Sequence, residues 1–184
     1  MKNLLLSILL IAPVLLFAQV SLDLEKSKIK WTGKKITNSS HWGSLSFSEA
    51  SLEFDGDDLV SGKFIVDMNT MSVDDIQGRG KQRLEGHLRN NDFFDVDNHK
   101  EAILMFNDRV SLINGVYEIS GSLTIKGISN PVKFTLVPNG KSYSSSLVFD
   151  RTKFDITYSS GNFFENLGDR LILDDVELEV SLIQ

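Results

Sequence analysis

The three histidines and one acidic stretch are the side chains of this sequence best suited to metal chemistry. His41, His87 and His99 are far apart in the chain and lack the HExxH or HxxxH spacing of a zinc site. Acidic residues alternate between Asp95 and Glu101, but this stretch lacks the glycine that a calcium loop needs for its sharp turn. We therefore predict no metal site and no cofactor.

The sequence also lacks the usual signatures of nucleophilic catalysis. It has no cysteine, no GxSxG motif and no glycine-rich loop that could cradle a phosphate. The carboxylate pairs at 74–75 and 174–175 fall at predicted turns or bulges, where solvation explains them. A formal charge of −6 without a basic stripe argues against nucleic acid as a partner. Binding, and not catalysis, is the predicted class of function.

Alternating apolar and polar residues predict that strands supply the framework. In the segment 121–136, Leu123 and Ile125 alternate with polar residues, and the same pattern returns over 132–136. We predict a half-buried hairpin whose reversal occupies 127–131, between a glycine and a proline. Two strands cannot bury an apolar face alone, so the rest of the chain must curl over it.

The same alternation predicts about eight strands in all. Changes of parity near 48–51 and at 174–175 predict β-bulges, which bend strands around a barrel. Leu84 and Leu88, four residues apart, predict one short helix in the long excursion 72–98. Short turns between sequential strands favour an all-β, antiparallel, up-and-down barrel of eight strands. The predicted strands are 28–36, 44–54, 59–71, 103–113, 116–126, 132–136, 142–149 and 171–182.

The first eighteen residues are typical of a signal peptide. Lys2 precedes an uncharged run over 4–17, and Ala18 is a small residue at the expected cleavage point. At helical rise that run covers only about 21 Å, less than the roughly 30 Å of a bilayer core. We predict a signal peptide at 1–18 and one barrel domain at 19–184, exported to the periplasm or secreted and not membrane-spanning after the signal is removed.

Five segments, in order and spacing, resemble the YceI-like, polyisoprenoid-binding family. They are WTGKK from Trp31, HWGSLSF at 41–47, GHLRNNDFFDV at 86–96, GSLTIKGISNPVKF at 121–134 and FDRTKFDI at 149–156. The resemblance implies a lipocalin-like barrel whose interior holds an isoprenoid tail or another long amphiphile. The sequence departs from the family's usual pattern at Asn90, Asn91 and Lys100, beside the expected mouth of the tube.

Two groups of candidate ligand-binding residues follow. We expect the cations near the short helix, Arg83, His87 and Arg89, to lie at the mouth and meet a polar head group. The alternative for these is a solvated helix face, and the alternative for the inward residues is an ordinary packed core. The predicted inward residues are Trp31, Phe47, Phe54, Phe64, Val66, Phe106, Leu123, Ile125, Phe134 and Phe149.

The sequence and the resemblance together favour a lipid carrier. The expected partner is a polyisoprenoid, an isoprenoid quinone or another long-chain lipid, bound without chemistry, and a homodimer is possible. Two alternatives stay open: an enzyme acting on an isoprenoid lipid, and a stress-protective structural domain with a filled core. A hollow interior that holds a lipid would separate the carrier and the enzyme from the filled domain, and turnover of that lipid would separate the enzyme from the carrier.

Overall fold

A computed structural model describes residues 18–184, which form one continuous antiparallel sheet with a single α-helix. The strands are β1 (Ala18–Ser21), β2 (Lys28–Lys35), β3 (Ser40–Asp55), β4 (Asp58–Val73), β5 (Glu101–Phe106), β6 (Tyr117–Ile125), β7 (Ile128–Asn139), β8 (Ser142–Asp150) and β9 (Ile172–Ile183). The helix α1 (Gly78–Arg89) follows β4, and short 3₁₀ turns occupy Arg151–Phe154 and Gly168–Arg170. The predicted signal segment lies outside the described residues, apart from Ala18, which begins β1.

The sheet closes into the predicted eight-stranded barrel. Strands β2 to β9 follow the order of the chain, each paired with the next, and β9 returns to pair with β2. One further strand, β1, was not predicted. It pairs with Ser51–Phe54 of β3, beyond the residues of β3 that pair with β2. Because every barrel strand has two neighbours, closure satisfies backbone groups that an open sheet would leave at its edges.

Both predicted bulges are confirmed by the register of the strands. The β3–β4 pairing shifts between Phe47 and Glu49, and the β2–β9 pairing shifts between Gly33 and Lys35, opposite the 172–176 stretch of β9. In β3 one extra residue moves the following side chains to the other face of the strand, so both halves of β3 direct apolar residues inward. The irregularity in β9 is wider, because residues 173–175 stand opposite Lys34 alone.

Two details of the predicted strands are wrong. The fourth predicted strand, 103–113, is shorter, because β5 ends at Phe106 and Val110 makes only an isolated bridge with Leu59. The predicted reversal at 127–131 is a two-residue turn at Lys126 and Gly127, both at positive φ. Pro131 therefore lies inside β7, opposite Ser122.

Proline is tolerated there because β7 has only one laddered partner at that point. The β7–β8 ladder runs from Asn139–Ser142 only as far as Thr135–Ser146. Beyond Thr135, towards the end that carries α1, the 3₁₀ turn after β8 covers the gap, and the Asn130 side chain donates to the Lys153 carbonyl at 2.9 Å. A missing backbone N–H costs little where no acceptor strand is paired.

Candidate functional site

An apolar cavity of about 210 Å³ occupies the interior of the barrel on the side of α1. We call it the lumen. It exceeds the roughly 150 Å³ of an apolar cavity known to stay dry and to bind benzene. The interior is therefore not a filled core. Side chains from all eight barrel strands and from α1 line it, including Ile29, Leu45, Met68, Met71, Ala102, Leu104, Leu136, Leu147, Val176, Leu178, Val180 and Leu182.

Eight of the ten predicted inward residues line the lumen: Trp31, Phe47, Phe64, Val66, Leu123, Ile125, Phe134 and Phe149. Trp31 is fixed by its indole N–H, which donates to the Ser72 carbonyl at 3.1 Å. Close packing explains this placement, because Gly43 lies beside the Trp31 ring and against the Ser72 carbonyl, where a Cβ would not fit. Glycine at 43 thus makes room for a lumen wall that a larger residue would displace.

The other two predicted inward residues, Phe54 and Phe106, do not line the lumen. Phe54 lies beyond the lumen, towards the end of the barrel opposite α1. Its ring is stacked on Tyr143 with ring centroids 6.2 Å apart, and is edge-on to Tyr117 at 6.1 Å. Phe106 is buried with its ring over Gly62, in the space that a side chain there would take, and 6.0 Å from the Phe134 ring. Together they plug the barrel instead of lining its hollow part.

The plug closes the end of the barrel that carries the 55–58 and 140–141 turns. The hydroxyl of Tyr117 donates to the Asp57 carbonyl at 2.8 Å, which ties the plug to the turn. Burial raises the pKa of this phenol, with smaller contributions from Tyr143 and from nearby carboxylates. A tail entering the lumen would stop at this floor.

The opposite end is covered by α1 and the segment after it. Leu84 and Leu88 of α1 line the lumen, together with Phe93 and Phe94. Three hydrogen bonds join the helix to the end of β4. The Glu85 carboxylate accepts the Val73 N–H at 2.9 Å, Lys81 donates to the Ser72 hydroxyl at 3.1 Å, and Arg89 donates to the Met71 carbonyl at 2.6 Å. We call 78–94 the lid.

None of the three predicted mouth residues lines the lumen. Arg83 is exposed, Arg89 is committed to the Met71 carbonyl, and His87 stands edge-on to Tyr158 at 4.6 Å and to Phe93 at 4.9 Å. The helical period explains this, because a helix that points Leu84 and Leu88 inward turns the adjacent positions about 100° away.

The charged group buried beside the lumen is Arg151, which sequence reasoning missed. Its side chain lines the lumen and the residue is 2% exposed. The guanidinium donates to the carbonyls of Ile156 at 2.7 Å, Ile172 at 3.1 Å and Leu173 at 3.2 Å, and to the Asp174 carboxylate at 3.2 Å. Burial lowers its pKa, against the opposing effect of Asp174. The signal was an arginine between Phe149 and Phe154, within a motif already singled out.

Other polar side chains border the lumen near the lid, including Lys34, Lys35, Ser39 and His41. The His41 ring lies 2.8 Å from the Asp75 carboxylate, and Lys34 pairs with Glu177. These groups all lie at the α1 end, so the arrangement is an apolar tube with a polar collar. Such a tube suits a molecule with a long apolar tail and a polar head.

Within residues 18–184, no cluster of three or more His, Cys, Asp or Glu side chains is arranged to hold a metal ion. No helix in the described part of the chain is both long and apolar enough to cross a membrane.

The YceI-like domain profile matches residues 21–183, nearly the whole described chain. The UPF0312 protein ECA1782 of Pectobacterium atrosepticum is 30% identical over 92 residues, which is 50% of this chain and 45% of that relative. The match therefore spans less than half of that relative's length.

Solved structures share the fold. BcnA of Burkholderia cenocepacia superposes with a TM-score of 0.70 at 21% identity, over 89% of this chain and 99% of BcnA. A polyisoprenoid binding domain from Saccharophagus degradans, implicated in plant cell wall breakdown, gives 0.60 at 14% identity, over 90% and 97%. The YCEI protein of Campylobacter jejuni gives 0.54 at 16% identity, over 98% and 96%.

Proposed function

This chain belongs to the YceI-like domain family, and from that premise we propose that it carries a long-chain lipid with its tail in the lumen. The expected ligand is a polyisoprenoid, an isoprenoid quinone or a similar amphiphile. The observation that carries the proposal is the lumen itself, an apolar cavity that is closed at one end and covered by a lid at the other. The name of the Saccharophagus degradans domain supports the same ligand class.

The energy of tail burial is sufficient for useful affinity. Each buried methylene-sized group contributes roughly 0.8 kcal/mol, so a five-carbon prenyl unit contributes about 3 to 4 kcal/mol. Micromolar binding requires about −8 kcal/mol, which a few units supply after entropic losses. The floor at Phe54 would then limit how much of a tail can enter.

Binding without chemistry is part of the proposal. Four of the five N–H groups of Arg151, the charged group buried beside the lumen, are already bonded to protein acceptors. That arrangement favours a structural and orienting role over proton transfer. Export, to the periplasm or beyond the cell, rests on the signal-like segment 1–18 and stays a prediction, as does a homodimer.

The test is native mass spectrometry of protein purified without detergent, followed by solvent extraction. Two neighbouring residues of β8 supply a matched pair, because Leu147 lines the lumen and Val148 is exposed outside the barrel. We expect Leu147→Trp to lower the amount of bound lipid at least about tenfold, since the indole fills the cavity. Val148→Trp should leave bound lipid unchanged.

Each outcome has a definite meaning. Protein that is empty after purification and cannot be loaded with a prenyl lipid would overturn the proposal, as would equal lipid content in both variants. Recovery of a chemically altered lipid after incubation would show an enzyme instead of a carrier. The mass of the native species also gives the oligomeric state.

A further inference from the structure

We propose that the lid end of the barrel, which we call the open end because no plug of side chains closes it, docks on the surface of an uncharged, zwitterionic lipid bilayer. The docking side chains are those of Ile36, Tyr158, Phe163 and Phe164. We call these four residues the rim. Each is a large apolar side chain exposed to solvent, with Phe163 57% and Phe164 50% exposed. Three of the four fall within seven residues of the connection between β8 and β9.

Two rim residues, Tyr158 and Ile36, adjoin the covered mouth of the lumen. The Tyr158 ring lies 5.4 Å from the ring of Phe93, which lines the lumen. Ile36 directly follows Lys35, another lining residue, and its N–H donates to the Leu171 carbonyl at 3.1 Å. The rim is thus continuous with the lid and with the start of β9.

The two phenylalanines are held outward by a fixed loop. The N–H groups of Phe163 and Phe164 both donate to the Ser160 carbonyl, at 3.2 and 3.0 Å. Ser160 is buried, and its hydroxyl donates to the Asp174 carboxylate at 2.9 Å. Asp174 is also the partner of Arg151, so one carboxylate joins the rim to the wall of the lumen. An ordered loop that keeps two phenylalanines in water indicates an interaction surface.

A bilayer fits this surface better than a second copy of the chain. Aromatic side chains such as tyrosine and phenylalanine favour the boundary between head groups and acyl chains. A stable protein interface needs roughly 800 Å² from each partner, contributed by about 20 to 30 residues, which is far more than four side chains offer. The charge also matters. The connection 157–171 and the lid together carry five Lys or Arg and four Asp or Glu residues, so this end of the barrel is close to neutral and has little positive excess to attract anionic lipids.

The test measures sedimentation of the whole protein with phosphatidylcholine vesicles. Phe163→Ser/Phe164→Ser should weaken vesicle binding at least about tenfold, because two aromatic rings no longer enter the interface. Leu112→Ser/Ile113→Ser is the matched control, since these residues are 42% and 67% exposed at the opposite end of the barrel. The control should bind vesicles like the unmodified protein. Raising salt from about 0.05 to about 0.5 M should change binding less than about twofold.

The docking proposal fails if the two double variants lose binding equally, or if neither does. It also fails if binding requires anionic lipid, or if the unmodified protein is a dimer that the rim variant dissociates. The carrier function can fail separately. Leu147→Trp, with its lumen filled, should still dock, and the rim variant should still take up a prenyl lipid added from ethanol.

Discussion

The two ends of the barrel are stabilised by different kinds of interaction. At the closed end, short turns join long strands, and apolar side chains such as Leu59, Ile119 and Phe54 fill the space between them. At the open end, helix α1 and the 157–171 connection are attached by side-chain contacts such as those of Arg151 and Glu85. The closed end is a packed core. At the open end, polar contacts hold α1 and the 157–171 connection around the lumen.

The difference shows how one sheet can be both a rigid body and a container. Packing to near-crystalline density at one end stabilises the fold, so the other end can leave space unfilled. Polar attachments hold the lid in place without filling the lumen, and they can open locally at less cost than the core. Substitutions at the two ends should therefore differ in their cost to stability.

Loss of the Arg151 guanidinium should be the most damaging single change at the open end. We expect Arg151→Leu to lower the free energy of unfolding by about 3 to 5 kcal/mol, because it removes the donor to three carbonyls and the positive partner of the Asp174 carboxylate. Urea denaturation measures the loss. Adding Asp174→Leu should restore part of it, and a single variant as stable as the unmodified protein would show that the open end does not depend on this network.

Replacing a leucine by phenylalanine should lower the free energy of unfolding by different amounts at the two ends. Leu59→Phe, in the packed end where Leu59 is fully buried, should cost about 1 to 3 kcal/mol because no space is free. Leu123→Phe, at the lumen wall, should cost less than about 1 kcal/mol because the ring can extend into the cavity. Thermal and urea denaturation of both variants provide the comparison. Equal losses would contradict the presence of free space beside Leu123.

The tyrosines offer a milder contrast. Tyr117→Phe removes a buried hydroxyl from the closed end and leaves the Asp57 carbonyl without its donor, so we expect a loss of about 0.5 to 1.5 kcal/mol. Tyr158→Phe, at the exposed rim, should change stability by less than about 0.5 kcal/mol. Urea denaturation at neutral pH resolves both values. A larger effect at Tyr158 than at Tyr117 would reverse the proposed contrast.

Acid should weaken one attachment of the lid. Burial raises the pKa of Asp74, but hydrogen bonds from Ser72 and Ser44 and the charge of Lys81 outweigh it, so the net pKa is lowered. A carboxyl with a lowered folded pKa contributes stability above its unfolded pKa of about 3.9, and the contribution is lost as the pH falls through the folded value.

Asp74→Asn should therefore be less stable than the unmodified protein by up to about 1 kcal/mol at pH 7, and the difference should shrink below about pH 4. Urea denaturation at neutral and acidic pH measures it. Asp169→Asn, an exposed control in the 157–171 connection, should match the unmodified protein at both pH values. A difference between Asp74→Asn and the unmodified protein that does not change with pH would refute the electrostatic explanation.

Much of the fold could be predicted from local patterns. Alternation places side chains on one face or the other, so the barrel, both bulges and most of the lumen wall could be inferred from residues such as Phe47, Leu123 and Phe134. The Asn114-Gly115 pair is a typical two-residue hairpin turn, and both residues have positive φ. These features depend on neighbours within a few residues.

The missed features depend on depth and on distant partners. Alternation predicts that Phe54 and Phe106 point inward, but it does not predict how far along the barrel axis they lie. That position decides whether an inward residue lines the lumen or belongs to the plug. From local sequence, Arg151 is expected at the surface. Its burial depends on hydrogen bonds to Ile156, Ile172 and Asp174, which only the folded chain brings close to it. The rim depends on how 158–164 folds against Asp174, which no local pattern encodes.

The short hydrogen-bond ladder between β7 and β8 bears on how easily the diameter of the barrel can change. Since backbone bonds join these strands only from Thr135–Ser146 to Asn139–Ser142, the remaining wall beside the lumen is bridged by side chains and by the 3₁₀ turn. Side-chain bridges stretch and re-form more easily than a continuous ladder. If a lipid occupies the lumen as we propose, we expect the barrel to widen first at this seam, so that tails of different thickness could fit the same fold.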